Sequence, residues 1–437
     1  MYHSTGAKMP SLVVHRDRED TIDLNSPSNT LLNGSIFQGA SSYDCIDFRR
    51  SSGATCLNPN LNSITDEEIM DISGLLQDRT VMEKLRNLHI QAPSKPLAKI
   101  FSLMSPPQSS SVQLQIQSLT LLTDYEKSGC PNVTNFLDTC SLFDLRILHL
   151  KNCSLRWESL TARTSRLTRL FIDTSDQASQ PTVTQLAALF AGNSALEEIE
   201  LGLDVSTPED PSPEAPNHIS LPLLRRLTIT GISGSYAQLL NHLTFSTLLK
   251  RVETEFCLHK VVTDLGLAEA LASFLEKIFR ARVPGKLALV ITYLWGGGIH
   301  FSQPGDTEDF LVLSITSPDA KISDVISPLM IQDVVERLPI ANIINSLWIE
   351  WYSDDCRQDF RRLFRTLSEV EELTIKQSHI KDIVQVLDSQ SEDGDEPNPL
   401  LHLHTVRLEN NQPYAGMASD LDRLRGRGIA VQELSRS

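Results

Sequence analysis

The stretch Leu145-Arg146-Ile147-Leu148-His149-Leu150, followed by Lys151-Asn152-Cys153-Ser154-Leu155, decides how this chain is read. Its grammar is apolar, two residues, apolar, one residue, apolar. The same phrase stands at Leu85/Leu88/Ile90, Ile116/Leu119/Leu121, Leu167/Leu170/Ile172, Leu196/Ile199/Leu201 and Leu224/Leu227/Ile229. A degraded copy follows at Leu249/Val252/Thr254, and later copies at Ile344/Leu347/Ile349, Val370/Leu373/Ile375 and Leu403/Val406/Leu408. Side chains alternate faces along a strand, so the fourth and sixth residues of the phrase share a face and the fifth points away. In the quoted copy Leu148 and Leu150 go inward and His149 outward. One such strand cannot bury its apolar face alone, whereas stacked copies share a core.

The middle positions of the earlier copies fall at 88, 119, 148, 170, 199, 227 and 252. Their steps of roughly 22–31 residues lie near the ~20–29 residues of leucine-rich repeats, with longer insertions. Helical patterns fill the gaps. Leu186, Leu189 and Phe190 share one helical face, with Thr182 or Thr184 placed to cap it. Leu97/Ile100/Phe101, Leu239/Leu240/Leu243 and Ile380/Ile383/Val384/Leu387 repeat the design. An ordinary α/β sheet with chance copies of the phrase is the alternative, and the ordered alternation with helices outweighs it. The expected fold is α/β, an irregular leucine-rich-repeat solenoid (a horseshoe) with parallel inner strands and outer helices.

The formal net charge of the 437 residues is −16. Nucleic-acid binding draws on a basic face, so this balance disfavours it, and it disfavours adsorption to an anionic membrane. No run of about 18 apolar residues is present to span a bilayer, and the first residues lack the apolar core of a signal peptide. The seven cysteines are scattered and form no CxxC pair, as in a reducing compartment. The expected location is intracellular, cytoplasm or nucleus. Cys153 stands where the repeat accepts Asn or Cys, which points to a packing or turn role.

Residues 1–60 are polar and are expected to be largely disordered. Ile64 opens a pattern for a short capped helix, and the solenoid is expected over 61–430, irregular at 257–340. Acidic loops are expected at 204–217, which is rich in proline, and at 389–399. Within the irregular part, Thr263 to Arg282 reads as a helix. Leu287–Ile291 and Phe310–Ile315 read as strands, with Gly296-Gly297-Gly298 as a break between them: a hairpin-like deviation. Met417 to Arg425 reads as a last helix.

Chemistry is sparse. No P-loop, HExxH or EF-hand loop occurs, and Gly231-Ile232-Ser233-Gly234-Ser235 lacks the last glycine of a nucleophile elbow. His402 and His404 have no partner at ligand spacing to complete a metal site. The reading is therefore not an enzyme, with no catalytic, metal or cofactor residues; the enzymatic alternative places a site in 283–318, near Trp295, His300 and Trp348. The informative residues sit at the fifth position of each phrase: His89, Thr120, His149, Phe171, Glu200, Thr228, Glu253, Trp348, Thr374 and Arg407. With their flanks they nominate His149, Phe171, Glu198, Glu200, Arg226, Arg251, Glu253, Trp348 and Glu350 as protein-binding. Exposed Trp and Arg are typical anchors, and Trp348 leads. A solvated face whose charges pair across strands is the bland alternative.

The phrase from Leu145 to Trp157, the block Leu221–Ile229 and Leu239–Phe245 resemble the F-box-associated leucine-rich-repeat proteins abundant in mushroom-type fungi. The resemblance covers roughly 60–430. It implies a substrate receptor of a cullin–RING ubiquitin ligase, with an F-box docking a Skp-type adaptor and the repeats holding the substrate. No Leu-Pro-x-Glu-Ile/Leu opening of an F-box precedes the first repeat in this sequence, so docking of a Skp-type adaptor is not expected. The expected partner is a protein of unknown identity; nucleic acid and membrane are not.

Overall fold

The computed structural model describes residues 11–15, 45–49, 66–77, 85–103, 115–124, 129–174, 180–203, 205, 218–232, 239–257, 265–281, 285–292, 296–303, 310–316, 333–338, 341–350, 357–388, 400–409 and 416–434. The chain divides into two compact units, 1–224 and 225–437. Both are mixed α/β, with parallel-dominated strand pairing and intervening helices.

The first unit runs β1 (Ser11–His15), β2 (Cys45–Arg49), α1 (Asp66–Gln77), β3 (Asn87–Gln91), α2 (Ser94–Leu103), β4 (Ser118–Leu122), α3 (Thr134–Thr139), β5 (Ile147–Lys151), α4 (Trp157–Arg163), β6 (Arg169–Thr174), α5 (Val183–Gly192), β7 (Glu198–Leu203) and β8 (Ile219–Leu221). Each phrase has become a strand, and β3 to β7 pair in parallel without slippage. Leu88, Leu119, Leu148, Leu170 and Ile199 lie side by side, as do Ile90, Leu121, Leu150, Ile172 and Leu201. All ten side chains are buried.

The repeat also has a backbone signature. The residue after the first apolar position offers its carbonyl to two N–H groups of the next phrase: Arg86 to Gln117 and Ser118, Gln117 to Arg146 and Ile147, Arg146 to Thr168 and Arg169. The first apolar residue itself donates back three residues, Leu145 to Leu142 and Leu196 to Asn193, both at 3.1 Å. This turn leads into β5 and into β7. The same two devices recur in the second unit, where Lys250 and Arg251 donate to Arg225, and Leu403 donates to Leu400 at 3.1 Å.

Helix α5 shows how local sequence starts the connecting elements. Thr182 is its N-cap: Gln185 N–H donates to Thr182 Oγ1 at 3.2 Å, and Thr182 N–H donates to Gln185 Oε1 at 2.9 Å. This capping box satisfies two otherwise unpaired donors, and it selects Thr182 over Thr184. Leu186, Leu189 and Phe190 are buried as their spacing requires.

Two strands fall inside the segment expected to be largely disordered. β1 pairs antiparallel with β2, and β2 pairs parallel with β3, aligning Ile46 with Leu88 and Phe48 with Ile90. Within Cys45–Arg49 the apolar pair Ile46 and Phe48 alternates in step with the strand beside it. The rest of 1–60 lies outside the described residues, as does 206–217 of the first acidic loop and all of 389–399.

The second unit contains β9 (Arg226–Ile232), β10 (Leu243–Phe245), β11 (Arg251–Cys257), α6 (Leu265–Ala281), β12 (Leu287–Thr292), β13 (Gly296–Ser302), β14 (Leu311–Thr316), β15 (Ile344–Glu350), α7 (Arg357–Thr366), β16 (Glu372–Lys376), α8 (Ile380–Asp388), β17 (Thr405–Glu409), α9 (Met417–Gly426) and β18 (Ala430–Leu434). Its strand order is β9-β11-β14-β13-β12-β15-β16-β17-β18. The irregular stretch is thus a three-stranded meander laid backwards into the sheet. β14 pairs parallel with β11, β12 pairs parallel with β15, and β13 is antiparallel to both of its neighbours. To reach β12 from β11 the chain must pass over the places later taken by β14 and β13. Helix α6 makes that crossing; its 17 residues extend about 25 Å at ~1.5 Å each. Beneath the meander Phe279 meets Phe301 edge-on at 5.1 Å and Phe310 at 5.9 Å.

Three details depart from the sequence reading. Gly296–Gly298 opens strand β13 rather than forming the break, because a glycine there relieves crowding: a Cβ on Gly298 would lie 2.7 Å from Thr292 Oγ1. Leu243 begins the short strand β10 instead of continuing a helix. β18 adds a further strand after α9, parallel to β17.

Candidate protein-interaction surface

The alternation that buries one side of each strand presents the other. In the first unit His89, Thr120, His149, Phe171 and Glu200 form one continuous row across β3 to β7. Glu200 is exposed and the other four are half-buried. His149 and Phe171 touch as rings, with centroids 5.3 Å apart at 47°. Burial holds the His149 imidazole below its ordinary titration range; Glu200 pulls it up, Lys151 pushes it down and Asp173 pulls it up. On either side of the row, charges meet their neighbours. Arg169 Nε lies 3.6 Å from Glu198 Oε2, and Lys151 Nζ lies 3.7 Å from Asp173 Oδ2. Four of the nominated residues, His149, Phe171, Glu198 and Glu200, are therefore brought together here.

The remaining five lie in the second unit and do not form one cluster. Arg226 and Arg251 stand directly opposite each other on β9 and β11. Like charges in that position repel, and Glu253 lies against both. Arg251 Nε donates to Glu253 Oε1 at 2.9 Å, Arg226 Nη2 is 3.6 Å from Glu253 Oε2, and Thr228 Oγ1 donates to Glu253 Oε2 at 3.3 Å. Trp348 and Glu350 are elsewhere, on β15. Strands β14, β13 and β12 lie between them and the Glu253 group.

The outward row of this unit reads Thr228, Glu253, Val312, His300, Val290, Trp348, Thr374, Arg407. Val312, His300 and Val290 were not nominated, because the sequence gives no sign that the meander occupies this place in the sheet. Trp348 is 39% exposed, which is high for so large a side chain. Beyond it charges pair again: Arg407 grips Glu372 through both guanidinium ends, at 3.1 and 3.2 Å. Lys376 Nζ lies 3.3 Å from Glu350 Oε1. Thr374, expected to face outward, is buried, as is Lys376 two residues on.

Two buried asparagines do structural work that the motif does not announce. Asn152 adopts φ 52°, a left-handed conformation Asn tolerates, and its Nδ2 donates to Thr123 O at 2.9 Å. Asn193 Oδ1 accepts from Leu167 N–H at 3.0 Å while its Nδ2 donates to Leu189 O at 2.8 Å. Both amides tie one repeat to the next. Cys153 is buried with its thiol aimed at Lys151 O, 3.5 Å away, and burial raises its ionisation well above the ordinary thiol range. Cys140 is likewise pushed up to about 12. Neither thiol is a nucleophile in this setting.

No family model matches this chain. No curated protein matches it either. Among solved structures it is similar to the leucine-rich repeat-containing protein LegL7 from Legionella pneumophila, at 13% identity and a TM-score of 0.25, over 84% of this chain and 88% of that one. Among the described residues, no three His, Cys, Asp or Glu side chains gather as metal ligands, and no helix is long and apolar enough to cross a membrane.

Proposed function

We propose that this chain is a leucine-rich-repeat solenoid acting as a non-catalytic, intracellular interaction scaffold, which binds a protein partner on the outward face of its strands. The observation that carries the reading is Trp348: an indole left 39% exposed at an outward position of its strand. An exposed aromatic with the ion pairs Lys376–Glu350 and Arg407–Glu372 to one side of it has the composition of an interface hot spot with a polar rim. His149, Phe171 and Glu200 are a second contact area in the first unit.

The test is photo-crosslinking with the full chain, placing the crosslinker at position 346 on one outward strand and at 120 on another, in lysate from the native cell. The reading requires discrete protein adducts that vanish when Trp348→Ala or Phe171→Ala is present. Adducts unaffected by either substitution would remove it.

The resemblance carried by Leu145–Trp157 and Leu221–Ile229 favours a finer version, in which the captured protein is a substrate for a cullin–RING ubiquitin ligase. A Skp-type adaptor is the discriminating probe. Titrated by calorimetry against this chain, it is expected not to bind at micromolar affinity, which leaves a free-standing repeat binder; stoichiometric binding would establish the ligase link.

A further inference from the structure

We draw no further inference here: the strongest candidate, the outward face of the β14-β13-β12 meander, where Val312, His300 and Val290 form the middle row and no Asp, Glu, Lys or Arg stands, is a sheet face for which nothing in the structure shows what covers it.

Discussion

The outward faces of the two units are built from the same strand geometry and furnished in opposite ways. Across β3 to β7 the row His149, Phe171, Glu200 is flanked by charges that meet strand to strand, Lys151 with Asp173 and Arg169 with Glu198. Across β14 to β12 the corresponding positions hold Val312, His300 and Val290, among glycine, alanine, serine and threonine, with Asp, Glu, Lys and Arg only on the strands beside them. The difference follows from how each stretch entered the sheet. Parallel repeats put identical register positions side by side, which favours cross-strand charge pairs. The meander enters with its own alternation, buries Leu289, Ile291, Ile299 and Phe301 on the core side as completely as any repeat, and leaves an outward side with no charges to pair.

If the two stretches are equal on the core side, they must be equally expensive to empty. Leu148→Ala and Leu289→Ala should each cost ~2–5 kcal/mol through lost transfer energy and the cavity left behind, read from urea melts of each variant. A loss at Leu289 below about 1 kcal/mol would mean that the meander is packed more loosely than the repeats. The glycines offer a sharper contrast. A Cβ on Gly202 would meet Asp173 Oδ1 at 2.9 Å, the far end of an exposed side chain that swings aside, whereas on Gly298 it meets the short, branched Thr292 at 2.7 Å. Gly298→Ala should therefore cost ~1–3 kcal/mol as overpacking and Gly202→Ala under ~0.5 kcal/mol, judged by the same melts.

The charge networks should differ more modestly. Glu253→Gln leaves Arg226 and Arg251 face to face, and about 1 kcal/mol is expected; Glu198→Gln breaks one exposed contact and should fall within ~0.5 kcal/mol. Equal effects would show that Glu253 does not hold the arginines together. The smallest effect belongs to His149. Its folded-state titration lies below the ordinary 6.5, so the unfolded chain takes up the proton first as pH falls. Stability from this group is intact above about pH 6.5 and declines below it. The amplitude should vanish in His149→Gln, and NMR of the labelled imidazole would locate the midpoint; a midpoint above 6.5 would reverse the sign.

Much of this was legible in the residues. The phrase predicts every strand from Leu88 to Leu408 that it marks and the face that Leu148 and Leu150 take, and the sequence narrows the cap of α5 to Thr182 or Thr184, because period and capping are local properties. What was not legible is adjacency. Glu253 and Trp348 belong to consecutive copies of the phrase, yet three strands separate them, since nothing in Leu287–Thr316 says which edge it will pair with. Val312, His300 and Val290 escaped for that reason. β18 escaped because Ala430–Leu434 is mostly exposed and so has no apolar signature, and Asn152 and Asn193 because a buried amide looks on paper like a surface one. Of the candidate surface, outward positions were legible one by one, Thr374 excepted, and their arrangement was not.

The one antiparallel strand of the meander has a consequence for how such a chain is assembled over generations. Because β12 and β14 run with the repeats and only β13 runs against them, the meander offers each neighbour a strand of the expected polarity. A two-stranded hairpin would have presented one edge the wrong way round. The three strands are thus a cassette that meets both neighbouring repeat strands in parallel, with one register shift against β15 between Leu287 and Ala288. Strands β11 and β15, which keep the same direction and the same apolar phrase, are a seam that would close in parallel were the cassette removed.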